Sequence, residues 1–211
     1  IFWGYLADGI FQNQSEVNNH ATQPNAQPGD IRFVDVNGDG IINADDRTKI
    51  GDPFADFSIG WNFNLNVYNF DLSVTTYGTF GNDIFRGYER NLNYTNKPVS
   101  VLARWTGEGT SNFEPRATFI DSNNNVRPST RYVEDGSYFK IKNVQLGYNF
   151  NVSNSKNLDA VRLYLQGKNL MTFTDYTGYD PEMSYGVLDT GIDRGNYPSP
   201  RTVSVGLNVK F

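Results

Sequence analysis

The fold of this chain is decided by the stretch Phe57-Ser-Ile-Gly-Trp-Asn-Phe-Asn-Leu-Asn-Val-Tyr68. Alternation with a period of two residues is typical of a β-strand with one apolar and one polar face. The apolar positions are Phe57, Ile59, Trp61, Phe63, Leu65 and Val67, and the positions between them are Ser58, Gly60, Asn62, Asn64 and Asn66.

The length of this stretch indicates what the apolar face contacts. Twelve residues that rise about 3.3 Å each, at a tilt of about 45°, span about 28 Å, which is close to the hydrocarbon thickness of a bilayer. Strands of soluble proteins more often have about five or six residues. An asparagine-lined face opposite a Trp/Phe/Leu face is typical of a barrel wall with lipid outside and water inside.

Other segments of the chain alternate in the same way. The segment 201–211 ends the chain on Phe211, and by itself it is equally compatible with a soluble β-sandwich. The remaining alternating segments favour an all-β, antiparallel transmembrane barrel wall. We predict strands at about 1–7, 57–68, 69–80, 138–150, 160–172 and 201–211.

One of these segments changes its alternation partway along. Phe139 and Ile141 are apolar at odd positions, whereas the apolar residues from Val144 onward are at even positions. In a regular strand Lys140 and the lysine two residues later would face lipid, at a cost of about 2–4 kcal/mol each near the midplane. One extra residue turns both inward, so we predict a β-bulge near 142–143.

The predicted connections differ in length. Tight turns are expected around Asn69 and over 151–159, whereas the segments 8–56, 81–136 and 173–199 are long. Short turns on one side and long loops on the other are typical of outer-membrane barrels, in which the long loops are extracellular. We therefore predict that these three segments are extracellular loops.

Composition excludes several classes of protein. There is no run of about 18 apolar residues, which argues against transmembrane helices. The net charge of −5 argues against a nucleic-acid partner. The absence of cysteine excludes disulfides, thiolate catalysis and zinc–thiolate sites.

The number of predicted strands is too small for a closed barrel. Single-chain bacterial barrels need at least about eight strands, and each unpaired backbone group at an open edge in lipid costs several kcal/mol. We therefore expect the chain to be the C-terminal piece of a larger barrel protein, with the rest of the wall supplied from elsewhere.

Several unrelated motifs resemble one family, in the order in which that family has them. The motifs lie at 28–46, 50–53, 131–148, 167–174, 178–182 and 197–202. Together they cover essentially the whole chain, which is similar to the SusC/RagA family of TonB-dependent outer-membrane transporters of Bacteroidetes-type bacteria.

This resemblance implies a fold, a function and a set of partners. The implied fold is a barrel of about 22 strands with an N-terminal plug, and the implied location is the bacterial outer membrane. The implied function is non-enzymatic import of oligosaccharides or peptides. The implied partners are the remaining barrel and plug, a SusD-like lipoprotein lid, TonB acting through the plug, and outer-membrane lipid.

One loop has the spacing of a calcium site. Its oxygens fall at positions 1, 3, 5, 9 and 12 of a calcium-binding loop, with Gly40 at position 6 and a backbone carbonyl at position 7. An Asx-rich turn held by its own hydrogen bonds is the structural alternative, and Asp45 is an alternative to the final ligand. The predicted ligands of a structural Ca²⁺ are Asp35, Asn37, Asp39, Ile41, Asn43 and Asp46.

Other candidate sites carry weaker signals. Asp180 and Glu182 have the appearance of a carboxylate pair for glycoside chemistry, but Pro181 between them favours a loop-shaping role. His20 lies in a polar stretch and is interpreted as a solvated loop residue. The loop aromatics that are candidates for stacking on sugars or for contacting the lid are Tyr88, Tyr94, Trp105, Tyr176, Tyr179 and Tyr185.

Two competing classes of protein remain. One is a soluble, calcium-stabilised β-sandwich that binds carbohydrate, and the other is a catalytic domain built on Asp180 and Glu182. In a sandwich, Trp61 and Leu207 would be buried against an opposing sheet, whereas in a transporter they would face lipid.

Overall fold

The computed structural model describes residues 1–88, 99–152, 158–183, 186 and 189–211. The chain divides into two compact units, each built from several segments. The wall unit comprises 54–83, 135–184 and 196–211, and the loop unit comprises 1–53, 84–134 and 185–195.

Strands dominate the described residues. The strands are β1 (Phe2–Gly4), β2 (Ala7–Ile10), β3 (Ile31–Phe33), β4 (Thr48–Gly51), β5 (Phe57–Val67), β6 (Phe70–Phe80), β7 (Asp83–Arg86), β8 (Val133–Asp135), β9 (Tyr138–Phe150), β10 (Ala160–Thr174), β11 (Ile192–Asp193) and β12 (Thr202–Lys210). A single α-helix, α1 (Gln14–Asn19), and three short 3-10 turns, Ala44–Asp46, Val99–Ala103 and Thr130–Tyr132, complete the described structure.

The wall unit is built on one antiparallel sheet of five long strands. Its order is β12-β10-β9-β6-β5, so that β9 lies at the centre. Val74 of β6 pairs with Phe63 of β5 on one side and with Val144 of β9 on the other. Because partners in register share a face, the apolar residues of neighbouring strands form continuous rows on one face. The polar residues form rows on the other.

The predicted β-bulge is confirmed. The register of β6 against β9 shifts between Thr75 and Thr76, which pair with Asn143 and Ile141 and leave Lys142 as the extra residue. Beyond the shift, Lys140 pairs with the polar-face residue Tyr77. The strand β10 adapts with a larger irregularity, since residues 169 and 170 lie opposite the single Lys142. Asn169 has a positive φ of 52°, a conformation that asparagine tolerates better than most residues.

The apolar face of the sheet is uncovered in the wall unit. Trp61 is 56% exposed and Leu207 is 61% exposed, so no opposing sheet buries them among the described residues. This removes the geometry expected of a soluble sandwich. We name this apolar face the outer face and the polar face the inner face.

The prediction of one barrel strand over residues 1–7 is wrong. This segment contains two short strands, β1 and β2, which pair with β4 and β3 in separate two-stranded sheets. Apolar residues follow one another directly in Ile1-Phe2-Trp3 and Tyr5-Leu6, so they cannot produce one apolar and one polar face. Tyr5 instead bridges to Ser129 and is buried.

The loop unit has hydrophobic cores of its own. Tyr5, Ile31, Phe33 and Ile42 form one buried cluster. A second cluster contains Ile50, Phe85 and Tyr132. The predicted loop segments 8–56 and 81–136 therefore contain folded structure, in which apolar burial offsets the entropy of ordering long connections.

Candidate functional site: the inner face and its charged cluster

The inner face presents a polar belt across the middle of the sheet, in which amides and hydroxyls predominate and Lys168 is the charged member among the described residues. Each row of the belt consists of residues that the strand register places opposite one another on neighbouring strands. Within the belt, Gln166 donates to the Asn143 amide oxygen at 2.7 Å. Amide and hydroxyl groups of this kind make hydrogen bonds with hydrated solutes in either direction, because they both donate and accept. The belt comprises Asn62, Asn64, Ser73, Thr75, Asn143, Gln145, Gln166, Thr202 and Ser204, together with the exposed Lys168, which pairs with Asn143 on one side and Thr202 on the other.

An ion pair lies on the side of the belt nearer the short turns. Arg162 donates two hydrogen bonds to the Asp71 carboxylate: Nε lies 2.9 Å from Oδ1, and Nη2 bonds Oδ2. Asn149 donates to the same carboxylate at 3.1 Å. The pair crosses directly over Gly147, where an added Cβ would lie 2.5 Å from both partners. The charges on this side therefore neutralise each other, and Gly147 provides the space for their contact.

A charged cluster lies on the side of the belt nearer the long loops. The Lys140 ammonium lies 3.0 and 3.1 Å from the two Asp180 oxygens and 2.9 Å from Glu182 Oε2. Lys142 bonds the other oxygen of Glu182. The Lys140 side chain is only 2% exposed, and a buried ammonium requires such pairing. The structure therefore gives Asp180 and Glu182 a role in fixing the loop, in agreement with the loop-shaping interpretation.

The calcium-type loop is held by hydrogen bonds from its own backbone. The two Asp35 oxygens accept from Gly38 at 2.7 Å and Gly40 at 2.8 Å. Asp39 accepts from Ile41 at 2.9 Å, and Asn37 accepts from Asp39 at 2.9 Å. These contacts are the Asx turns of the structural alternative.

The final residue of this loop is fully buried. Asp46 accepts from the backbone of Val36 at 2.9 Å and of Asn43 at 2.8 Å. Burial raises the pKa of Asp46, but the backbone donors Asn43, Val36 and Asn37 outweigh it, so that its pKa lies below the ordinary value. Asp46 is therefore an ionised carboxylate at neutral pH.

The predicted calcium ligands are only partly brought together. Asp35 interacts directly with the Asp46 carboxyl, and Asp39 accepts from Asn37 at 3.0 Å and from Asn43 at 3.5 Å. Asn43 caps the 3-10 turn that contains Asp46. Within the described ranges, no three His, Asp or Glu side chains form a group that could hold a metal ion.

A buried amide network in the loop unit has no counterpart among the predicted sites. Gln23 bonds two backbone groups on one edge of β3, accepting from Phe33 N at 3.0 Å and donating to Ile31 O at 2.7 Å. Asn125 accepts from Ile31 N at 2.8 Å and donates to Asp30 at 3.1 Å. Two segments about ninety residues apart in the sequence are thereby joined through side chains.

The loop aromatics and His20 lie in different environments. The indole of Trp105 donates to Gln12 at 3.2 Å, Tyr176 is buried and Tyr179 is 76% exposed. The ring of His20 packs edge-on against Phe11 at 5.2 Å, so His20 is partly packed rather than fully solvated. Tyr94 and Tyr185 lie outside the described residues. Tyr88 is half-buried.

Helices contribute little to the architecture. Where the chain is described, no helix is both long enough and apolar enough to cross a membrane.

Sequence relatives match this chain along its whole length. The TonB-dependent receptors P3 and P26 of Formosa agariphila are each 36% identical, covering 100% of this chain and 22% of their own length. The TonB-dependent receptor SusC of Bacteroides thetaiotaomicron is 27% identical over 99% of the chain. The chain thus spans about a fifth of the length of these relatives. No family model matches the sequence.

Solved structures show the same fold. The RagAB peptide transporter aligns with all of this chain at a TM-score of 0.74 and 20% identity, over 23% of its own chain. RagAB in the open-open state aligns at 0.73 and 19% identity. The fold is therefore that of an all-β barrel wall of RagA type, and the named relatives are receptors and transporters rather than enzymes. With its motifs, its sheet and its relatives in agreement, this chain belongs to the SusC/RagA family of TonB-dependent receptors.

Proposed function

We propose that this chain forms part of the wall of an outer-membrane transporter that imports oligosaccharides or peptides. The observation that carries the proposal is the combination of an apolar outer face with a polar, amide-rich inner face on the same sheet. Such a wall is stable in lipid and presents hydrogen-bonding groups to a hydrated solute. The name of the RagAB peptide transporter supports peptides as one of the two solute classes.

The same proposal includes partners. The edge strands β5 and β12 each have one paired side in the described sheet, and in lipid the other side must also be hydrogen-bonded. We propose that the remaining barrel strands of the receptor supply those bonds, that a plug connects the barrel to TonB, and that a SusD-like lipoprotein closes the outer mouth. The family membership supports all three.

Import is tested by growth in the organism that carries the complete receptor. Deleting the receptor gene should abolish growth on at least one member of a panel of oligosaccharides and short peptides supplied as the only nutrient. Inactivating TonB should give the same loss, whereas growth on the corresponding monosaccharides or free amino acids should persist. Unchanged growth of the deletion strain on the whole panel would contradict the proposal.

We also propose that the loop 35–46 binds Ca²⁺ as a structural ion. The carboxyl groups of Asp35 and Asp46, at the first and last positions of the loop, lie close to each other. Each Asp35 oxygen accepts one backbone hydrogen bond, and a carboxylate oxygen has a further lone pair to offer. Ca²⁺ prefers oxygen ligands of this kind.

Calcium binding is tested with the substitution Asp39→Asn. Asparagine keeps an oxygen that can accept from Ile41 N, so the turn is retained while one negative charge is lost. We expect the unmodified receptor to bind Ca²⁺ with a Kd of about 10⁻⁴ to 10⁻³ M, as extracellular modules do, and the variant to bind more weakly. Isothermal titration measures both, with Mg²⁺ as the control ion. Absence of heat, together with unchanged proteolysis of the loop on adding Ca²⁺, would contradict the proposal.

A further inference from the structure

We propose that the segment 176–183 is a fixed constriction on the solute path, fastened to the inner face by an anchor of four residues, Lys140, Lys142, Asp180 and Glu182. The inference rests on the proposed function in one respect only, namely that the inner face lines a path for solute.

The anchor ties the segment to the wall through a buried ammonium. The Lys140 side chain is 2% exposed and lies within 3.1 Å of both Asp180 oxygens and of Glu182 Oε2. Lys140 belongs to β9, the central strand of the sheet, and it pairs with the inner-face residue Tyr77 on the neighbouring strand β6. The carboxylates that bury it come from the segment, so the segment lies across the inner face.

Asp180 also fixes the loop internally. Besides the Lys140 ammonium, it accepts from the backbone N–H of Glu182 at 3.0 Å and of Ser199 at 3.2 Å. The part of the loop near Glu182 and the part near Ser199, which leads back to β12, are therefore both hydrogen-bonded to one carboxylate. Removing the segment from the wall would leave charged, partly desolvated groups without these partners, which is strongly unfavourable.

Other residues of the segment are packed as well, although Thr177 and Tyr179 are exposed. Tyr176 and Pro181 are buried, as is the inner-face residue Tyr138. The Tyr176 ring closes over Gly178, where an added Cβ would meet the ring carbons at 2.3 Å. The ion pairs of Asp180 and Glu182 and the packing of Tyr176 and Pro181 hold the segment in place, as a constriction requires and a moving gate does not.

The position of the anchor along the strands determines the point on the path at which a solute meets it. The row containing Lys140 and Tyr77 lies closer to the long-loop ends of the strands than the row containing Asn143 and Thr75. A solute that enters from the long-loop side passes the anchor before it reaches the polar belt. The segment reduces the cross-section at that point, and it thereby limits the size of solute that reaches the belt.

The constriction is tested by the access of reagents to a cysteine placed behind it. In the complete receptor in the outer membrane, Thr75→Cys is labelled from outside by a small methanethiosulfonate reagent and by a maleimide carrying a long polyethylene glycol chain. The receptor without the introduced cysteine gives the background. We expect Lys140→Met to raise the ratio of the large-reagent rate to the small-reagent rate severalfold. Lys140→Arg, which keeps the charge and donors, should leave the ratio near its original value.

Matched variants separate the constriction from general damage to the fold. Lys49→Met makes the same substitution at an exposed pair with Asp52 in the loop unit and should not change the ratio. Glu182→Gln removes one charge of the anchor and should raise the labelling ratio less than Lys140→Met does. If Lys140→Met does not give a folded, heat-modifiable barrel, the ratio measured with Glu182→Gln tests the constriction instead. An unchanged ratio in the folded variants would overturn the constriction. No import is measured, so failure here is distinct from failure of the proposed function.

Discussion

Val74→Arg is expected to destabilise the folded receptor by about 2–4 kcal/mol, whereas Ser73→Arg on the next residue is tolerated. Val74 lies on the outer face between Phe63 and Val144, and Ser73 lies on the inner face between Asn64 and Gln145. The two positions lie on the same strand at nearly the same expected depth in the bilayer, and both side chains are half-buried. They differ in whether the guanidinium faces hydrocarbon or water.

The measurement is urea unfolding of the complete receptor in lipid vesicles, followed by the mobility shift of the folded barrel on gels. A third variant, Val67→Arg, places the same charge on the outer face next to the short turn, where the bilayer interface is close. We expect it to cost about 0–1 kcal/mol. A cost that is equal at Val67 and Val74 would contradict a lipid-facing surface, because a protein core does not grade the penalty by bilayer depth.

The wall could be predicted from sequence because its determinants are local. A strand that separates two different solvents must alternate at every residue, so Phe57–Val67 shows its structure without reference to any other segment. The bulge at Lys142 was predictable for the same reason, since a change of parity is visible within one strand. The pairing of β5 with β6 and the pairing of β9 with β10 followed from the short connections that join them.

The loop unit could not be predicted in this way because long-range contacts determine it. Tyr5 packs against Phe33 and bridges to Ser129, and neither partner can be inferred from the sequence around Tyr5. Gln23 and Asn125 lie in stretches rich in Asn, Gln, Ser and Asp, which are typical of solvated turns. Their burial follows from the match between a side-chain amide and the exposed edge of β3.

The charged cluster on the inner face could be predicted only in part. Asp180 and Glu182 were identifiable as a carboxylate pair, and Lys140 and Lys142 were identifiable as inward-facing charges. The contact between the two pairs spans about forty residues and depends on how the loop returns to the sheet. Periodicity carries no information about that return, so the sequence identified the charges and the structure identified their function as an anchor.

Asp30→Ala is expected to open the loop unit, at a cost of about 3–5 kcal/mol, because it removes one partner of a buried ion pair. The Asp30 carboxylate is 0% exposed. It accepts from Arg116 at 2.8 and 3.2 Å, from Asn125 at 3.1 Å and from the backbone of Gln27 at 3.0 Å. Alanine leaves these donors without the Asp30 carboxylate, and it removes the ion pair and the Asn125 contact that join 23–33 to 114–127.

The matched control is Asp8→Ala, which removes one partner of Arg32, at 3.0 Å, and leaves Glu16 at 3.8 Å. The two arginines are similarly exposed, at 24% for Arg116 and 28% for Arg32, whereas the Asp8 carboxylate is 66% exposed. Water replaces the lost contact of Arg32, so the control should cost about 0–1 kcal/mol.

Limited proteolysis and amide exchange of the loop unit in the folded receptor measure the difference. A difference of about 3 kcal/mol corresponds to about a hundredfold in the population of the open form. Asp30→Ala should therefore accelerate cleavage and exchange over 23–33 and 114–127 by about that factor, while the wall strands stay protected. Equal acceleration by the two substitutions would show that the carboxylate acts as a surface charge and that the amide network holds the two segments without it.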